Sequence, residues 1–83
     1  MSDYTICLSQ AAVGQPLRLL RINAGRKLSH RLTELGVTPG VELRIVQEAG
    51  GTLILAVRGS RVAVGRGMAE KMQVVATSEE KSY

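Results

Sequence analysis

A small, all-β barrel of about five strands is the fold class that this 83-residue sequence predicts, with one short α-helix between the first two strands and a helical turn before the last. Three observations carry that expectation. The segment LSHRLTELGVTPGVELRI, from Leu28 to Ile45, spells a helix, a stop, a tight turn and a strand. Downstream, short alternating runs are separated only by glycine-rich pairs, which is the pattern of antiparallel hairpins. Finally, a chain of this length buries only about 60 % of its unfolded surface, so it has material for one modest core and one domain, with a body over about 8–77. Closing a small sheet on itself is the economical way to remove its exposed edges.

Each element has its own signal. Residues 1–8 and the polar tail SEEKSY read as poorly tied ends. Ser9 is a plausible N-cap for a short turn through Ala12, closed by Gly14. Pro16 to Ile22 reads as a first strand with Leu17 and Leu19 on one face; Leu20 and Ile22 on the other imply protein on both sides. In the helix, Leu28, Leu32 and Leu35 recur at i, i+4 and i+7, which predicts one apolar face that caps the barrel, with Lys27, His30, Arg31 and Glu34 pointing away from it. Gly36 ends the helix, and Pro39-Gly40 fits the central pair of a type II turn. The period then becomes two: Val41, Leu43 and Ile45 alternate with Glu42 and Arg44 in a second strand running to about Glu48. Thr52 to Val57 follows across Gly50-Gly51, and Arg61 to Val64 follows the turn Arg58-Gly59-Ser60. One helical turn within Gly65 to Lys71 brings Met68, Ala69 and Met72 over an open end of the barrel, and Gln73 to Ala76 supplies the fifth strand.

Charge and aromatic content narrow the function classes. The net charge is +4, yet between Thr5 and Thr77 ten basic residues stand against four acidic ones, so the body carries about +6. Such a body favours an acidic partner surface, a nucleic acid or an anionic membrane, although scattered positive charge also serves plain solubility. Phe and Trp are absent and the two tyrosines, Tyr4 and Tyr83, sit at the ends. Bases of single strands stack on aromatic rings and proline-rich peptides dock between them, so the chain lacks the material for either. A small basic nucleic-acid-binding barrel therefore stands as an alternative reading only. One cysteine, Cys7, allows no internal disulfide and no CxxC metal site, which points to a reducing compartment. No signal-peptide pattern opens the sequence, and its longest apolar run, Leu53 to Val57, is too short to span a bilayer; a soluble cytoplasmic protein with no membrane insertion is expected.

Catalytic chemistry finds no constellation. A serine or cysteine nucleophile needs a base in reach, and the one histidine, His30, lies on the wet face of the helix. Gly65-Arg66-Gly67 lacks the rest of a nucleotide loop: Glu70 stands where a dinucleotide fingerprint wants a small residue, and no Gly-Lys-Ser/Thr is present. His30 and Glu34, one helical turn apart, could share a metal ion, but two ligands do not make a site; they are opportunistic metal candidates only. No enzyme and no cofactor are expected.

With these residues laid out, Arg31-Leu32-x-Glu34-Leu35-Gly36-Val37-x-Pro39-Gly40 resembles the central motif of the ferrous iron transport protein A (FeoA) family. Leu53 to Val57 with Arg58-Gly59 is similar to the family's strand and V-x-G turn, and Val62-Ala63-Val64 and Ala69-Glu70-x-Met72-x-Val74 follow in order, with methionine in place of the commoner isoleucine. The resemblance covers about Leu8 to Val75. It implies an SH3-like β-barrel in the cytoplasm, acting as a non-enzymatic accessory to a large membrane ferrous-iron transporter, FeoB, with a cytosolic GTP-binding domain. It supplies no catalytic or metal-ligand motif, and a metal-binding iron carrier using His30 and Glu34 stands as the other alternative reading. The same barrel ends iron-dependent repressors of the diphtheria-toxin-repressor type, whose DNA-reading helices this chain has no room for. On that footing the expected partner surface is Arg26, Lys27, His30, Arg31, Arg58 and Arg61, and weak self-association is among the expectations.

Overall fold

The computed structural model describes residues 5–77; the tail read as poorly tied lies outside them. Six strands form one antiparallel sheet in the order β1-β6-β2-β3-β4-β5, where β1 is Thr5–Cys7, β2 Leu17–Ile22, β3 Glu42–Ala49, β4 Thr52–Val57, β5 Ser60–Gly65 and β6 Met72–Ala76. A nine-residue helix, α1 (Arg26–Glu34), separates β2 from β3, and a four-residue turn, α2 (Arg66–Ala69), separates β5 from β6. The sheet curls around a core but does not pair β1 with β5, so it is barrel-like with two open edges.

The strand beyond the expected five is β1. Thr5 to Cys7 pair with Val75 to Gln73, and Leu8, in the 3-10 turn that follows, is completely buried. Residues 5–8 are therefore tied down, contrary to the reading of 1–8 as a loose end. The turn is held by a hydrogen bond from the Cys7 backbone N–H to Gln10 Oε1 (3.0 Å) and another from the Ala11 N–H to the Leu8 carbonyl (3.1 Å).

Two bulges correct the reading of the long strands. In β2 the register shifts between Leu19 and Arg21, so Leu20 is the extra residue and stands 41 % exposed, while Ile22 rejoins Leu17 and Leu19 against the core. Protein does not cover both faces of β2; the bulge changes the phase of the alternation instead. In β3 the shift falls between Ile45 and Gln47, and Val46 is the extra residue. The loop before β2 secures that bend by donating the Gly14 N–H to the Ile45 carbonyl (2.7 Å).

The helix packs more narrowly than its leucine spacing suggests. Leu32 is buried at 6 % exposure, but Leu28 and Leu35 are 43 % and 50 % exposed, so only the middle of the stripe meets the core. Val37 completes the contact. Gly36, at φ +90°, donates its N–H to the Thr33 carbonyl (3.0 Å), and Val37 donates to the Leu32 carbonyl (2.9 Å). This is the Schellman arrangement, in which a glycine in the left-handed region reverses the chain and a following apolar residue is buried with the last turn. The Pro39-Gly40 turn closes by a hydrogen bond from the Val41 N–H to the Thr38 carbonyl (3.0 Å), with Gly40 at positive φ as a type II turn requires.

The core is entirely apolar. Its largest nearly inaccessible members come from β2, β3, β4 and β6 (Leu17, Leu19, Ile45, Leu55, Val57, Met72 and Val74), joined by Leu8 of the 3-10 turn and Val37 after α1, and no polar or charged side chain among the described residues is buried. Of the three residues read as covering an open end, Ala69 and Met72 are completely buried and Met68 is partly buried against the core. Among the described residues, no helix is long and apolar enough to cross a membrane.

Candidate partner interface

The outer face of the β3–β4–β5 meander carries a row of side chains set by register. Arg44 lies opposite Ala56, and Ala56 lies opposite Arg61. Neighbouring strands run about 4.8 Å apart, so the two arginines rise roughly 9–10 Å from one another with only a methyl group between them. The dip over Ala56 opens into a groove of about 680 Å³ whose wall includes Arg44, Val46, Arg58, Arg61 and Glu42.

Arg58 enters this wall from the β4–β5 turn. Arg58-Gly59 is a two-residue hairpin loop with φ of +52° and +81°, the left-handed pair of a type I′ turn. Gly50-Gly51 closes β3–β4 in the same way, with φ of +56° and +84°. Arginine is an unfavourable choice for the first position, where asparagine or glycine avoids the clash of Cβ with the backbone. Arg58→Gly is accordingly expected to raise stability by about 0.5–1 kcal/mol. A urea denaturation midpoint that falls, with an unchanged slope, would contradict it.

Among the described residues, the ion pairs leave the groove arginines free. Arg18 donates through Nη2 to Glu42 Oε2 (3.1 Å) and through Nη1 to the Gly40 carbonyl (3.1 Å), across the β2–β3 pair. Arg66 pairs with Glu48 where β3 meets α2. His30 Nε2 lies 3.3 Å from Glu34 Oε2 on the exposed face of α1. Among the described residues, Arg44, Arg58 and Arg61 have no carboxylate partner, and the groove's one carboxylate, Glu42, is engaged by Arg18.

The six residues expected to form a partner surface fall into separate groups. Arg58 and Arg61 share the groove with Arg44, whereas Arg31 borders a smaller recess of about 320 Å³ between α1 and β5, lined by Leu28, Leu35, Ala63 and Met68. Arg26, Lys27 and His30 are exposed on α1 and line neither. Arg44 was absent from the expected set, although its alternation between buried Leu43 and Ile45 marks it as outward-facing. His30 and Glu34 do come together, but among the described residues no three His, Cys, Asp or Glu side chains gather as a metal centre would require.

Residues 6–76 match the FeoA domain family, which takes in all six strands but for Thr5 at the start of β1. The chain belongs to the FeoA family. A FeoA relative from Methanocaldococcus jannaschii, named "Putative Fe(2+) transport protein A", is 33 % identical over 67 residues, covering 81 % of this chain and 82 % of its own length. The crystal structure of an iron uptake regulatory protein (FeoA) superposes with a TM-score of 0.81 at 27 % identity, over 89 % of this chain and all of that one. The likeness extends in fold alone to a manganese-dependent transcriptional repressor, with a TM-score of 0.79 at 20 % identity over 93 % of this chain and 44 % of the repressor. The expected SH3-like architecture is thus the architecture of FeoA structures, with the Schellman turn at Gly36 and the Pro39-Gly40 turn standing in the motif that carried the resemblance.

Proposed function

We propose that this chain is a cytoplasmic accessory protein of ferrous-iron uptake that docks on the cytosolic GTP-binding region of a FeoB-type membrane transporter, without catalysis of its own. The observation that carries the reading is the FeoA match over nearly the whole described body, supported by the M. jannaschii relative whose name is that of an Fe(2+) transport protein. The physical character agrees with it. A compact body whose surface arginines are, among the described residues, mostly without a carboxylate partner and whose interior is apolar is suited to docking on an acidic surface.

Titrating the purified chain against the transporter's cytosolic domain and against the full-length transporter tests the proposal. Saturable binding to at least one, together with reduced ferrous-iron uptake in cells lacking this protein, is the expected result. No binding to either and unchanged uptake would refute it.

A further inference from the structure

We infer that the groove over Ala56 is the docking face and that it takes an acidic peptide segment; that the segment belongs to the transporter's cytosolic region rests on the docking reading above. Three independent features converge on this face. The register places Arg44 and Arg61 on either side of the small Ala56, and the β4–β5 turn holds Arg58 at the same groove. All three guanidinium groups lack a carboxylate partner among the described residues, so no internal ion pair must be broken for them to bind one. Arginine presents a planar fork of donors that matches a carboxylate in bidentate fashion, which makes a cluster of three a receptor for closely spaced Asp or Glu side chains.

The groove also argues for a peptide over other anions. Its floor and sides include Val46, Ala56 and the backbone of Gly40 and Gly59, giving an acidic segment apolar surface and close backbone approach between its charged ends. Bases of a single-stranded nucleic acid would find no aromatic ring there. The cations of α1 are arranged differently. They lie along one short helix face, and the recess beside them is walled by leucines and alanine with Arg31 as its charged member.

The test compares two double charge reversals of equal charge change, R44E/R61E in the groove and R26E/R31E on α1. All four side chains are exposed, and circular dichroism checks that both variants fold. Binding to the transporter's cytosolic domain is expected to weaken roughly tenfold or more for R44E/R61E and to stay within about twofold for R26E/R31E. In parallel, a hexaglutamate peptide titrated at low salt should shift the backbone amide resonances of Arg44, Ala56, Arg58 and Arg61, an effect that fades as salt screens it. If the domain binds and R44E/R61E binds as the parent does, or if R26E/R31E loses as much, the inference is overturned and docking survives. If neither the domain nor the full-length transporter binds and uptake is unchanged, but hexaglutamate maps to the groove, the docking reading fails and the acidic-segment site stands. Hexaglutamate shifts mapping elsewhere, or a single-stranded oligonucleotide binding the groove more tightly than the peptide, would overturn the site.

Discussion

Replacing Leu55 with alanine is expected to lower the free energy of unfolding by about 2–5 kcal/mol, the range for removing a large aliphatic side chain from a packed interior. Leu55 is fully inaccessible in the middle of β4, with Ile45 opposite it on β3 and Val62 opposite it on β5. Both neighbouring strands are held in register with β4, which leaves their backbones little freedom to close over the space. A domain of this size has only about 5–15 kcal/mol of stability to lose, and each kcal/mol shifts its melting temperature by about 4–8 °C. Leu55→Ala should therefore melt about 10 °C or more below the parent. Leu20→Ala is the control: at the β2 bulge and 41 % exposed, it should change stability by no more than about 0.5 kcal/mol. Equal effects from the two substitutions would contradict the core described here.

Leu8→Ala should cost nearly as much, about 2–5 kcal/mol, although it lies beside a three-residue strand close to the start of the chain. Its side chain is completely buried among residues of the main core, and the neighbouring Ile6 packs against the same cluster. The cavity would open under α2, which contacts the 3-10 turn carrying Leu8. Denaturant unfolding followed by circular dichroism measures this directly. A loss below about 0.5 kcal/mol would restore the view that the segment is a dispensable end.

These two leucines mark the difference between what the sequence discloses and what it hides. Leu55 is legible as part of a strand, since Leu53 to Val57 is an apolar run bounded by tight turns; the structure adds which face is inward, with Leu53, Leu55 and Val57 buried and Ile54 and Ala56 less so. Leu8 is not, because β1 has three residues and a period of two cannot be recognised over so short a run. The helix shows a third situation: its leucine spacing predicts an apolar face correctly but says nothing about how wide a strip the barrel can cover, and only Leu32 is buried. The Schellman stop and the Gly50-Gly51 hairpin, by contrast, are local chemistry and read directly.

The groove needs one more step than alternation. A two-residue loop at Gly50-Gly51 pairs Ala49 with Thr52, and counting back without interruption would set inward Ile45 opposite outward Ala56. Two residues facing opposite sides cannot be paired in that way, so one residue must be extra between them. Val46 is that residue, and the resulting shift is what brings Arg44 opposite Ala56. The conflict can be found by counting, but the position of the bulge between Ile45 and Ala49 cannot. For that reason Arg58 and Arg61 could be proposed from sequence while Arg44 could not be joined to them.

The pairing of Thr5 with Val75 joins opposite ends of the described chain, whereas β3–β4 and β4–β5 are each closed by two residues. The entropy lost in closing a loop rises with its length, and non-local contacts repay that loss only after distant segments have met. The meander bearing the arginines can therefore form from short-range encounters, whereas β6 pairs with β2 and β1 only across long stretches of chain. The arginine groove belongs to the part of the molecule that depends least on distant segments having found each other.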